Sequence, residues 1–160
     1  MEAAHNEKSI AFSAQLGLAE MLGCGTTTIM DFGTLRHTDI LFAEAEKAGM
    51  RAIIGKSLMD SSEGIAVSLC EPITAALTEA EALIRDWHGT ARGRLQFALC
   101  PRFLLSCSPE LLHRIREMQK TYHLLLHTHA AETETEVAMT KEKFGQGNIE
   151  FLNSLDLLGP

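Results

Sequence analysis

Four short apolar runs, each followed by a helical pattern, order this 160-residue chain. The runs are Thr26–Met30, Arg51–Ser57, Leu95–Cys100 and Leu124–His129. Aliphatic and β-branched residues fill them, and glycine or proline punctuates the segments between. Parallel strands need a helix-length crossover, so this alternation implies a parallel sheet with right-handed connections. The fold class is α/β, with four strand–helix units behind one leading helix. The strands lack polar alternation, as expected when both faces of a sheet are covered.

The helices are legible from periodicity and stop signals. Ser9–Leu22 carries Ile10, Phe12, Leu16, Leu18, Met21 and Leu22, and Gly23 and Gly25 end it. Thr38 or Asp39 caps a helix running to Gly49, with Ile40, Leu41, Ala45 and Ala48 on one side. Pro72 suits the first turn of a long helix reaching Trp87. Ser108 caps another, with Pro109 at its first position and Leu111, Leu112, Ile115 and Met118 along it. Helices over Glu132–Phe144 and near Asn148–Leu155 complete the set, and Asp60–Cys70 reads as a loop. Two architectures fit: a small open doubly wound sheet, or part of an eight-stranded (β/α) barrel, which typically needs about 250 residues. Gly23-Cys24-Gly25 precedes a strand instead of joining strand to helix, so it is no dinucleotide-binding fingerprint.

Composition narrows the function classes. Hydrophobic residues make up 46% and charged residues 22%, as in an ordinary globular domain. The net charge of −7 argues against a general nucleic-acid binder. No apolar run approaches the roughly 18–20 residues that span a bilayer, and the N-terminus is too polar for a signal peptide. Cys24, Cys70, Cys100 and Cys107 form no Cys-x-x-Cys pair. They read as free thiols of a reducing compartment, so a cytoplasmic protein is expected. No dedicated partner activates Cys100 or Cys107 as a nucleophile.

The fourth run carries the chemistry. Leu124-Leu125-Leu126 ends in His127-Thr128-His129, and Glu132 follows. Residues two apart in a strand share a face, so His127 and His129 can reach one metal ion. Glu132 can move protons to and from a water there. Paired histidines at a solvated strand end can also be plain polar residues. The order of apolar strand, histidines and carboxylate favours chemistry, since α/β proteins place it at the C-terminal ends of strands. The remaining histidines, His5, His37, His88, His113 and His123, read as surface or satisfied residues.

Four stretches together resemble the amidohydrolase superfamily, in its branch of guanine deaminases, S-adenosylhomocysteine-type deaminases and triazine chlorohydrolases. They are Leu18–Thr28, Glu44–Ala52, Cys100-Pro101-Arg102-Phe103 with Ser106-Cys107-Ser108, and His127–Thr133 followed by Glu150-Phe151-Leu152 and Leu157–Pro160. The resemblance implies a (β/α)8 barrel of the TIM type that binds one divalent ion, zinc foremost or iron, at the strand ends. It makes His129 a metal ligand, His127 a ligand or its support, and Glu132 the proton shuttle. Arg102 and Phe103 would contact the heterocycle. The family's His-x-His lies upstream of the helix that opens this chain, and its further His and Asp ligands lie beyond Pro160. Residues 1–160 are therefore expected to form a single partial catalytic domain, the second to fifth strands of the barrel. The implied activity is hydrolytic deamination of a guanine- or 8-oxopurine-like heterocycle, a small-molecule substrate. A different class stands beside it: a catalytically incomplete half-barrel that self-associates as a homo-oligomer through exposed sheet edges. A flavodoxin-like binding module ranks last.

Overall fold

The computed structural model describes residues 4–61 and 67–159. Helix α1 (Glu7–Gly23) leads into strand β1 (Thr28–Asp31), helix α2 (Thr38–Ala48) and strand β2 (Arg51–Leu58). Helix α3 (Ile73–Trp87) and a short turn α4 (Thr90–Gly93) precede strand β3 (Leu95–Pro101). Helix α5 (Pro109–Tyr122), strand β4 (Leu125–Leu126), helix α6 (Glu134–Phe144) and helix α7 (Asn148–Ser154) follow. The four strands are parallel and stand in sequence order, β1-β2-β3-β4. A doubly wound sheet reverses strand order at a switch point, whereas a barrel winds in one direction. Among the described strands, the order is that of a barrel segment.

Local chemistry explains the boundaries. Asn6 caps α1 through a reciprocal pair with Ser9. Gly49, at φ 75°, closes α2 where a Cβ would be strained. The Ser108 hydroxyl accepts the Leu111 N–H, and Pro109 opens α5 as the sequence indicates. Pro72 lies one residue before α3, as its N-cap residue, and Pro101 ends β3 within the strand. Ser62 to Ala66 of the expected Asp60–Cys70 loop lie outside the described residues, and Val67–Leu69 forms a single 3-10 turn.

The core lies between one sheet face and the helices. Ala52, Ile54, Leu58, Leu95, Phe97 and Leu99 pack there with Phe42, Leu77, Leu83, Leu111 and Ile115. Phe42 is fully buried and stacks between Trp87 at 5.5 Å and Phe97 at 6.4 Å. The expected α2 stripe missed Phe42, and Ala48 is exposed. On α1 only Ile10 and Leu18 are buried, while Phe12 and Leu16 are exposed, so its expected apolar face is only half used. The opposite sheet face is open at its edges: Met30 on β1 and Leu125 on β4 are 45% and 54% exposed. Both faces are therefore not covered, contrary to the reading of the strands as fully buried runs.

Candidate functional site

The polar residues gather at the C-terminal ends of the strands. The fourth strand is shorter than its apolar run suggests: only Leu125 and Leu126 pair with β3. Beyond them the backbone continues alone. His127 N–H donates to the Leu99 carbonyl at 2.9 Å, and a single bridge pairs His129 with Phe103. The strand dissolves because the Arg102 carbonyl draws the chain off register. It accepts the His129 backbone N–H at 3.1 Å, the His129 ring at 2.9 Å and the Thr128 hydroxyl at 3.5 Å.

That ring contact decides a tautomer. A carbonyl only accepts, so His129 Nδ1 donates here, and Nε2 is the lone-pair nitrogen whenever the ring is neutral. His127 lies two residues away, and its Nδ1 is buried without a hydrogen-bond partner. Both imidazoles meet the same aromatic ring, Phe32, at 5.1 Å for His127 and 4.6 Å for His129. The two histidines thus share one side of the sheet, as their spacing implies. Burial and the neighbouring His129 push the His127 imidazole below its ordinary range, and the Asp31 carboxylate pulls weakly the other way. A neutral imidazole is the form that donates a lone pair to a cation.

Arg102 and Phe103 follow β3 directly and are half-buried. Arg102 N–H donates to the Leu58 carbonyl at 3.2 Å, which anchors it beside β2. Phe103 is tied to Ser106, whose hydroxyl donates to the Phe103 carbonyl at 2.7 Å. Glu132 is placed differently from expectation. Helix α6 begins at Glu134 with Thr133 as its cap, so Glu132 precedes the helix instead of opening it. Its carboxylate is exposed, and its backbone N–H donates to Glu136 at 2.7 Å. The depression it lines, with Ala131, Thr133 and Val137, includes neither histidine. Glu136 itself is engaged by Asn148 at 2.6 Å, so this run is more than a solvated helix face.

Sequence reasoning missed Phe32 and Asp31. Their signal was position, since Asp31 ends β1 as His127 follows β4, and strand ends hold sites in such folds. Cys100 and Cys107 are fully buried, and burial pushes both thiols up to about 12. They stay protonated at neutral pH, which removes them as nucleophiles. His88 Nδ1 accepts the Phe97 N–H at 3.1 Å, a satisfied histidine as read from sequence.

The donors present suit a divalent cation: one lone-pair nitrogen fixed by a backbone carbonyl, and one buried nitrogen without a partner. Among the described residues, no group of three or more His, Cys, Asp or Glu side chains converges to hold an ion. Residues 2–160 match the amidohydrolase family. The chain belongs to the amidohydrolase family. A 5'-deoxyadenosine deaminase from Methanothermobacter thermautotrophicus is 33% identical over 147 residues, covering 92% of this chain and 33% of the relative. This amidohydrolase chain therefore spans about a third of the length of the curated relative it matches. Guanine deaminase from C. acetobutylicum, solved with guanine in its active site, superposes with a TM-score of 0.88 at 26% identity, over 96% of this chain and 36% of its own. The zinc-complexed atrazine chlorohydrolase TrzN of Arthrobacter aurescens TC1 shares the fold alone, with a TM-score of 0.85 at 23% identity over 95% of this chain and 36% of its own. The amidohydrolase chain is thus a four-strand portion of a TIM-barrel architecture.

Proposed function

We propose that this chain contributes the His127–His129 end of a metal-dependent deaminase site acting on an aminated purine. One observation carries the reading. The Arg102 carbonyl fixes the His129 tautomer beside the unpartnered Nδ1 of His127, at the mouth of a barrel segment. His129 and His127 would hold the ion, and zinc is put first because a neighbour of the same fold is complexed with zinc. When bound, such an ion supplies Lewis acidity that makes hydroxide available from water near pH 7.

The chain's own residues do the rest. Arg102 can offer two parallel donors to a carbonyl or ring acceptor, a planar match that lysine lacks. Phe103 offers an aromatic face to a flat ring. Glu132 would take a proton from the attacking water and pass it to the ring nitrogen as the oxygen adds at the amidine-like carbon. It would then take the hydroxyl proton of the adduct and pass it to the departing amine, so that the C–O bond becomes a carbonyl as the exocyclic C–N bond breaks and ammonia leaves. The Arg-Phe pair favours a guanine- or 8-oxopurine-like substrate, which agrees with the guanine-bound neighbour. The curated relative points instead to 5'-deoxyadenosine.

Metal content and ammonia release test the reading. The protein carrying this chain, supplied with zinc, is expected to release ammonia from one of guanine, an 8-oxopurine or a 5'-deoxynucleoside. Glu132→Gln lowers turnover at least a hundredfold, the scale of a lost general acid–base. No ammonia from any member of a panel that also includes aminated triazines overturns it. The 160-residue chain alone is expected to bind zinc more weakly than a complete site, having fewer donors.

A second reading rests on the open sheet edges. Met30 and Leu125 are exposed on the two outer strands, so the chain alone self-associates through them. Light scattering after gel filtration checks this, and a stable monodisperse monomer sinks it.

A further inference from the structure

Lys56 is fully buried on β2, and no step of the proposed reaction uses it. Its ammonium donates to the Leu35 carbonyl and pairs with Glu71 at 2.9 Å and Glu79 at 2.8 Å. A buried ion cluster is a poor source of stability but a strict geometric fastener, since a charge out of water tolerates no loss of partners. Here it fastens the segment that follows β1. The same segment is held at three more points. Gly33 N–H donates to Asp31 Oδ1 at 2.7 Å, and Ser57 N–H donates to the Thr34 carbonyl at 3.1 Å. Gly33, at φ 72°, presses so close to β2 that a Cβ on it would lie 1.7 Å from the Gly55 carbonyl oxygen. Phe32 sits inside this clamped segment, with its ring against both His127 and His129.

We propose that Phe32 is a positioning residue for the histidine pair, and that Lys56 sets Phe32 by holding the Leu35 carbonyl. The inference rests on the reading of those histidines as the cation-binding end of the site. His129 has the Arg102 carbonyl to orient it, but His127 Nδ1 has no partner. Packing against Phe32 orients the His127 ring. It also blocks the rotation of His129 that would break its hydrogen bond.

The test reads the imidazoles directly. Long-range 1H–15N correlations of the folded chain are compared for wild type, Phe32→Leu, Phe32→Tyr and Lys56→Met, with circular dichroism as the check on folding. Wild type shows His129 as the single Nδ1–H tautomer. Phe32→Leu shifts both histidines and moves His129 toward a tautomer average, while Phe32→Tyr keeps the wild-type pattern. Lys56→Met shifts the same signals although it touches neither ring, and Glu79→Gln serves as the milder variant if Lys56→Met unfolds. Cobalt affinity, followed by visible absorption, falls roughly tenfold in Phe32→Leu, the scale of a lost outer-shell partner. Unchanged imidazole patterns in folded Phe32→Leu overturn the proposal. If the wild type takes up no cobalt while the variants still show these shifts, the metal reading is defeated and the role of Phe32 stands.

Discussion

Strands β2 and β3 share seven registered pairs, from Ala52 with Leu95 to Leu58 with Pro101, whereas β3 and β4 share two. Both interfaces are built from apolar runs of similar length. They part where the side chains change character. In the middle of the sheet the ladder runs past Lys56 and Ser57 to Leu58 and Pro101, and those side chains are all buried. At the fourth strand, His127-Thr128-His129 arrives, and its backbone and side chains turn to the Arg102 carbonyl. The centre of the sheet holds the fold together, and its margin exchanges pairing for a polar mouth.

The contrast can be broken at several points, the strongest first. Phe42→Ala removes a fully buried ring stacked between Trp87 and Phe97, so denaturant unfolding should show a loss of about 4 kcal/mol. The imidazole signals of the still-folded fraction should not move. Were they to move, core and mouth would be coupled and the contrast would fail.

Gly55→Ala is next. A Cβ there would lie 1.9 Å from Cys100 Sγ, so β2 and β3 must separate or the thiol must turn, at about 2 kcal/mol. Adding Cys100→Ala should recover part of that loss in the same unfolding assay. No recovery would mean that the atoms the double variant keeps, the residue-100 Cβ at 3.0 Å and the Ala98 carbonyl at 3.1 Å, are the true obstacle.

The helix caps give a finer comparison. Ser108→Ala, beside the central strands, should cost about 1 kcal/mol. Thr133→Ala, at the exposed start of α6, should cost less. A larger loss at Thr133 would show that the margin is as tightly held as the centre.

The smallest effect is a pH dependence. The hydrogen bond from Lys47, and a second from Gln15, hold the Glu44 carboxyl below its ordinary 4.5. The folded state therefore binds this proton less readily than the unfolded chain. Its stabilisation is full above the ordinary value and disappears as pH falls through the lowered one. Glu44→Gln should flatten the stability curve slightly between pH 5 and the acid limit, because Lys47 is largely exposed. A curve of unchanged slope would show that the pair contributes nothing.

Much of the scaffold was readable from residue patterns. The Ser108-Pro109 start of α5 and the glycine stop of α2 emerged where their chemistry placed them, because both depend on local bonds alone. Phe42 escaped, since an 11-residue helix lets two neighbouring apolar stripes compete and only packing against Trp87 and Phe97 chooses between them. At the mouth, the histidine spacing correctly placed two rings on one side. The early end of β4 was hidden, because it is caused by a carbonyl 24 residues before Leu126, and carbonyls leave no trace in a sequence. Lys56 did leave one: a lysine inside the run Ala52–Met59 needs carboxylate partners, which the half-buried Glu71 and Glu79 supply from beyond the strand.

The hydrogen bond from His129 to residue 102 has a bearing on how such a site can change over generations. The acceptor is main chain, so every amino acid at that position offers it equally. A mutation there can change the side chain while the imidazole beside it keeps its orientation and its hydrogen bond. If the proposed roles hold, recognition rests on the side chain and orientation of the imidazole on the main chain, so the lineage can explore new substrates without first dismantling the chemistry.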